Sequence, residues 1–165
     1  MRIFKNVVMA ALLIPQAAYA QPTCVNTERV QARAEKAADW LPEVRLALTD
    51  AGLPAKWIYL MLEESGGNSA ACSAVGACGP WQLTSATAKH YGCADRSDPT
   101  ESTRAAARYI SKLLQDFDGD EARVVMAYNM GGSNLRKYGP TMEAKALSAL
   151  VMCAFDADPL HLIGD

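Results

Sequence analysis

The stretch that decides the fold is residues 57–68, "WIYLMLEESGGN", where an apolar run ends in two adjacent acids and two glycines. The run predicts a short, buried helix, and the glycines predict its end. Residues three, four and seven apart share one face of a helix. The face of Glu64 is therefore wholly apolar, with Met61, Leu60 and Trp57 beneath it.

The two acids have different expected roles. Glu63 shares its face with Tyr59 and Lys56, so we expect a solvated carboxylate at the rim of the helix, close to the lysine. A carboxyl group held against apolar surface is harder to ionise, so the pKa of Glu64 should rise. A raised pKa suits a general acid that works near neutral pH. The competing interpretation is a helix-end acid that simply points into water.

The rest of the chain is predicted to be helical nearly throughout. The central helix covers residues of about 55–65. Only residues 72–84 lack a helical pattern, and Gly76 and Gly79 in this segment permit a tight, hairpin-like turn. The other predicted helices cover residues of about 27–40, 43–51, 85–92, 100–117, 120–129 and 141–155.

The first twenty residues have the pattern of a secretory signal peptide. Arg2 and Lys5 precede an apolar stretch at 7–14, and "AYA" at 18–20 supplies a cleavage site. The apolar stretch is too short to span a bilayer, and no later stretch is long enough either. We expect a signal peptide at 1–20 and one exported domain at 21–165, without a membrane span. The expected location is periplasmic or secreted.

Charge and metal-ligand spacing exclude several classes of function. Without Arg2 and Lys5 the chain has 14 basic and 18 acidic residues, a net charge of −4, and no basic run, so nucleic acid is not an expected partner. The five cysteines show no CxxC spacing, and the only histidines are His90 and His161. We therefore expect no metal and no cofactor, and at most two disulfides in an oxidising compartment.

Residues 73–88, "SAVGACGPWQLTSATA", have a composition that suits a sugar-binding cleft. Glycines let the backbone approach a ligand, Trp81 offers a flat apolar face, and the Gln82 amide can both donate and accept hydrogen bonds. The alternative is an ordinary turn with a buried tryptophan.

Three ordered motifs over about 70 residues carry a resemblance to a known family. The segment "EESGGNSAACSAVGACGPWQLTSATAKHYG", then "DRSDPTESTRAAARYI" and then "AYNMGG" resemble the lytic transglycosylases of the goose-type lysozyme fold. The subgroup most similar in motif is membrane-bound lytic transglycosylase D. The resemblance implies a mainly α, lysozyme-like helical domain with a small β-hairpin beside the active-site cleft.

The resemblance also implies roles for individual residues. Glu64, directly before a serine, matches the catalytic acid/base of the family. Ser73, Gln82, Tyr128 and Asn129 match residues that bind substrate in the cleft, and the tyrosine is expected to face the catalytic carboxyl.

The segment "DRSDPTE" contains three further acids: Asp95, Asp98 and Glu101. Helix capping explains them best. The family usually has an aromatic residue where this chain has Gly67, and Pro80 also departs from the family pattern.

In the hairpin, Cys72 and Cys78 are a candidate disulfide pair. A second candidate pair is Cys24 and Cys153, which lie near the two ends of the exported chain.

The implied reaction uses one carboxyl group. In the family, a glutamate cleaves the β-1,4 bond between N-acetylmuramic acid and N-acetylglucosamine in peptidoglycan and leaves a 1,6-anhydro product. Two alternatives remain: a hydrolytic, lysozyme-type muramidase, and an inactive wall-binding module of a secretion or pilus system. Peptidoglycan strands are the expected partner, with a secretion, pilus or conjugation apparatus as a further candidate.

Overall fold

The computed structural model describes residues 24–162. The predicted signal peptide at 1–20 lies outside this range, and the domain boundaries at 21–165 stay a prediction. The described chain forms eight α-helices and one 3₁₀ turn. The helices are α1 (Thr27–Lys36), α2 (Leu41–Asp50), α3 (Ile58–Ser65), α4 (Ser85–His90), α5 (Pro99–Asp116), α6 (Glu121–Met130), α7 (Gly132–Tyr138) and α8 (Met142–Ala157); the 3₁₀ turn, Ala55–Trp57, leads into α3.

Side-chain caps start most of the longer helices. Asp98 accepts a hydrogen bond from the backbone N–H of Glu101 and opens α5, and Pro99 follows in the first turn, where its missing N–H has no consequence. Asp120 and Thr141 cap α6 and α8 in the same way. The predicted helices are present, but α7 was not predicted; it is short, and glycines stand at both of its ends.

Helix α3 lies at the centre of the core. Residues 58–62 are all buried, and the helix packs between α1 and α8, while α2 packs on α5 and α6 packs on α8. The Trp57 ring meets Phe155 of α8 edge to face, with centroids 5.3 Å apart. Gly66 ends α3 in the left-handed conformation, at a φ of 62°. The last turn of α3 therefore emerges from the core at a fixed point.

The small β-hairpin is not confirmed. Within residues 24–162 no strand forms; residues 72–83 make only two isolated antiparallel bridges, Cys72 with Cys78 and Cys78 with Leu83. Positive φ angles at Gly76, Gly79 and Gln82 interrupt the extended backbone that a ladder needs. The segment is a looped wall rather than a pair of strands.

The described residues contain two disulfide bonds. One joins Cys72 to Cys78 across the looped wall, with Cα atoms 4.2 Å apart, and the other joins Cys24 to Cys153, with Cα atoms 6.1 Å apart. Both are the pairs that we expected. The fifth thiol, Cys93, is free and buried. Among the described helices, none combines the length and the apolar character that crossing a bilayer requires.

Candidate active site

Glu64 lies in the last turn of α3, at the edge of the core. Its Oε1 atom is buried and has no hydrogen-bond partner among the described residues. The pKa of Glu64 rises from 4.5 to about 7, mainly because of burial, and the negative charges of Glu143 and Glu63 contribute to this rise. A carboxyl group with this pKa exchanges a proton readily at neutral pH, as a general acid/base must.

Glu63 does not have the environment that the sequence predicted. Its side chain is only 9% exposed and forms ion pairs with Arg29 and Arg33 of α1, at 3.0 and 2.6 Å. Lys56, the expected neighbour, pairs instead with Glu121, at 2.8 Å. The expectation of a solvated rim carboxylate is wrong, because α1 packs over this face of α3. The expectation that Glu63 differs in role from Glu64 agrees with these contacts, since its charge is fully paired.

A cavity of about 640 Å³ opens beside Glu64. It is walled by the loop before α4, by α4 itself and by parts of α5, α6 and α8. All five predicted site residues line it: Glu64, Ser73, Gln82, Tyr128 and Asn129. The structure thus brings together side chains that lie up to 65 positions apart in the sequence.

The looped wall contributes Ser73 and Gln82. Ser73 Oγ accepts a hydrogen bond from the Ala77 N–H, which fixes the tip of the loop. Gln82 donates from Nε2 to the carbonyls of Ala71 and Gly79, each at 3.0 Å. Both of its N–H groups are thereby used, so Oε1 is the Gln82 atom that remains for a ligand. We expected a group that donates and accepts; inside this wall it can only accept.

The opposite side of the cavity carries Tyr128 and Asn129, at the end of α6. The Tyr128 hydroxyl donates to the Trp81 carbonyl, at 2.8 Å, and its ring packs on that of Tyr109 at 5.2 Å between centroids. Burial raises the pKa of Tyr128 well above its usual range, and the negative charge of Glu64 acts in the same direction. Tyr128 therefore stays protonated and serves as a neutral hydroxyl beside the candidate acid.

Comparison with known proteins assigns the family. The profile of the Transglycosylase SLT domain matches residues 47–150, well over half of the chain. The chain belongs to this family. The membrane-bound lytic murein transglycosylase D of Escherichia coli K12 is 32% identical over 102 residues, which are 58% of this chain and 23% of that protein. The transglycosylase of phage PRD1 is 38% identical over 76 residues, which are 46% of this chain and 28% of that protein.

A solved structure has the same fold as this SLT domain. An inactive glutamate-to-glutamine mutant of the lytic transglycosylase Slt from Pseudomonas aeruginosa superimposes with a TM-score of 0.58 at 23% identity. The match covers 75% of this chain and 25% of that one. The SLT domain thus spans about a quarter of the length of these relatives, and its mainly helical architecture is confirmed.

Trp81 does not face the cleft of the SLT domain. Its side chain is fully buried, and its indole N–H donates to Thr103 Oγ1 at 2.8 Å. The expectation that it offers a flat surface to a sugar is wrong, and the alternative of a buried tryptophan in a turn is correct. Its carbonyl nevertheless contributes to the site, because it accepts the hydrogen bond from Tyr128.

Glu143 is the site residue that sequence reasoning missed. It lies in the first turn of α8 and lines the cavity from an exposed position. An acid just after a capping threonine is common at helix starts, because it complements the helix dipole. No local signal therefore distinguished Glu143 from an ordinary capping acid; its proximity to Glu64 depends on how α8 packs on α3 and α6.

The acids in the loop before α5 and in its first turn have structural contacts, as predicted. Asp98 caps the helix, and Glu101 accepts hydrogen bonds from the N–H groups of Ala94 and Asp95. The carbonyl of Arg96 in the same loop lies where a Cβ at position 79 would be, so the wall closes against this loop only because residue 79 is glycine.

Proposed function

We propose that this chain is a peptidoglycan lytic transglycosylase in which Glu64 is both the acid and the base. The observation that carries the proposal is the Glu64 carboxyl on the wall of a cavity, with its Oε1 atom buried and unpartnered and with a pKa of about 7. The names of the relatives support the reaction class, since they are themselves transglycosylases. The inactive variant of Slt, in which glutamine replaces a glutamate, supports a glutamate as the reacting group.

The first step is cleavage of the glycosidic bond. The protonated Glu64 carboxyl gives its proton to the oxygen that joins C1 of N-acetylmuramic acid to C4 of N-acetylglucosamine. As the C1–O bond breaks, positive charge develops at C1 and the glucosamine leaves with a free 4-hydroxyl. The buried, apolar surroundings of Glu64 keep its proton in place until the glycosidic oxygen accepts it.

The second step closes the anhydro ring without water. The Glu64 carboxylate takes the proton from the 6-hydroxyl of the same muramic acid, and that oxygen forms a bond to C1. Glu64 is then protonated again, and no water has been consumed. Gln82 Oε1 and the Tyr128 hydroxyl are the fixed polar groups proposed to orient the reacting sugar, with Ser73 and Asn129 as further substrate contacts.

A hydrolytic muramidase is the second candidate, and Glu143 is the observation that favours it. Ordinary glycoside hydrolysis uses two carboxyl groups that flank the bond, and a carboxylate can activate a water molecule. Glu143 is the only other carboxyl group that lines the cavity among the described residues. Its exposed position at the rim argues for a charge that acts on Glu64 through space rather than for a water-activating base.

The product distinguishes the candidates. Purified peptidoglycan digested with the protein should give fragments lighter by one water than hydrolytic fragments in mass spectrometry. Glu64→Gln should remove this activity and keep the circular-dichroism spectrum. Reducing muramic ends would favour the muramidase, and wall binding without any turnover would favour an inactive module.

We further propose that the protein is exported to a periplasmic or secreted location, where it acts on peptidoglycan strands. A secretion, pilus or conjugation apparatus is the further partner that we propose for it.

A further inference from the structure

Helix α1 holds the end of α3 through a charge cluster in which the Glu63 carboxylate is nearly buried and the Arg29 side chain is 40% exposed. Arg29 Nη2 lies 3.0 Å from one Glu63 oxygen, and Arg33 Nη1 lies 2.6 Å from the other. The carboxylate is 9% exposed, and Arg33 is only 21% exposed. A buried carboxylate needs such pairing, and removing one partner of a buried pair leaves a costly, uncompensated charge. All of α1 lies outside the segment matched by the family profile.

A backbone contact joins the same two helices one turn further on. Gly67 has a φ of 78°, and a Cβ at this position would overlap the carbonyl oxygen of Arg33. In this chain the end of α1 therefore lies directly against residue 67. The disulfide from Cys24 to Cys153 ties the segment before α1 to α8. Helix α1 is thus attached to the body on both sides of the charge cluster.

These contacts bear directly on Glu64, because it is the next residue after Glu63 in the last turn of α3. Its Oε1 atom has no hydrogen-bond partner in the described part of the chain. The position of that oxygen therefore depends on the backbone of the turn, and Gly66 ends the helix immediately beyond. A shift of about 1 Å in a reacting group costs about a hundredfold in rate.

We propose that Arg29 and Arg33 are positioning residues for the reaction: they hold Glu63 and thereby fix the turn from which Glu64 reaches the substrate. This inference rests on the proposed function of Glu64. Helix α1, which lies outside the family-matched segment, would then influence the reaction in the cleft through Glu63.

The arginines also set the charge around the acid. Among the described residues, the charges that raise the pKa of Glu64 are those of Glu143 on α8 and of Glu63 on its own helix. Tyr128 of α6 and Tyr109 of α5 line the same cavity. Without the two guanidinium groups, the negative charge of Glu63 would act on Glu64 at full strength and raise its pKa further. The alkaline limb of the activity profile, where Glu64 loses its proton, would then move to higher pH.

The test uses the double variant Arg29→Gln/Arg33→Gln, assayed on soluble, uncrosslinked peptidoglycan strands. We expect kcat to fall about tenfold, KM to stay within about twofold, and the alkaline limb to rise by about half a pH unit. Arg29→Lys/Arg33→Lys keeps both cations and should recover most of kcat. Arg45→Gln, an exposed arginine of α2 away from the cleft, is the matched control and should behave as wild type.

Each result decides the inference. A folded Gln/Gln variant with wild-type kcat and pH profile overturns it, as does a Lys/Lys variant that is as slow as the Gln/Gln variant. If the Gln/Gln variant does not fold, Arg33→Gln and Arg33→Lys are compared instead, and equal kcat values for these two overturn it. A wild-type protein without any turnover refutes the proposed function, which is a distinct outcome because it requires no variant.

Discussion

Replacing Glu64 by glutamine should make the protein more stable at alkaline pH while it abolishes activity. In the folded protein the pKa of Glu64 rises from 4.5 to about 7, mainly because burial opposes ionisation. The unfolded chain therefore ionises first as the pH rises. Between the two pKa values the folded state binds the extra proton, so the free energy of unfolding falls as the pH increases.

The magnitude follows from the two pKa values. A difference of about 2.5 pH units corresponds to about 3 kcal/mol at about 1.4 kcal/mol per unit. This stability is fully present below pH 4.5 and is lost as the pH passes through about 7. Glutamine has no charged form, so Glu64→Gln avoids the loss. For a domain of this size, about 3 kcal/mol corresponds to a rise in Tm of roughly 10 °C.

The assay is urea unfolding of the wild type and of Glu64→Gln at intervals between pH 4 and pH 9. We expect the difference in the free energy of unfolding to be small at pH 4 and to grow to about 3 kcal/mol in favour of the variant by pH 8. A difference that stays constant over this range, or that favours the wild type at pH 8, would mean that the carboxyl is solvated and would remove the basis of its assignment as the acid.

Three further predictions follow from other contacts. Glu143→Gln removes one of the negative charges that raise the pKa of Glu64. The alkaline limb of the activity profile should therefore move to lower pH while turnover continues. Complete loss of activity would instead assign Glu143 a direct chemical role. Thr103→Val leaves the buried Trp81 N–H without its acceptor and should lower the free energy of unfolding by about 1–3 kcal/mol, measured in urea, with activity retained in the folded fraction. Gln82→Glu replaces two N–H donors by a carboxylate that faces two carbonyls, so the free energy of unfolding should fall by about 1–3 kcal/mol and peptidoglycan cleavage by the folded fraction should fall more than about tenfold. Unchanged cleavage would show that the looped wall does not contact substrate.

Local patterns predicted what depends on local physics. The helical periodicity of residues 57–64 separated the faces of the two acids, and the capping pattern before α5 identified Asp98 as structural. Turn composition placed a loop at 72–84, although its positive φ angles prevent the strands of a hairpin. Motif resemblance identified five of the side chains that line the cavity, because the motifs that contain them follow one another in a fixed order along the chain.

The features that were missed depend on packing between distant segments. Nothing near Glu63 in the sequence shows that α1 covers it, because Arg29 and Arg33 lie about 30 positions away. The buried Trp81 of the looped wall donates its indole N–H to Thr103 of α5, which lies 22 positions away. Glu143 enters the cavity only because α8 returns across α3 and α6. Sequence periodicity describes one element at a time and carries no information about which element lies opposite.

The environments of the two adjacent acids show how the fold holds a reactive group that weakens it. Glu63 forms ion pairs with two guanidinium groups, whereas Glu64 has no cation among the groups that perturb it and its charged form opposes folding by about 3 kcal/mol. The disulfide between Cys24 and Cys153 closes a loop of 129 residues, which in the chain-entropy account stabilises the fold by about 4–5 kcal/mol. This covalent link lies beyond both ends of the family-matched segment, so it offsets the strain of the site without entering the cleft. Reduction of the bond should lower the stability of both the wild type and Glu64→Gln, and above pH 7, where the unpaired carboxylate is ionised, the wild type should be the first of the two to unfold.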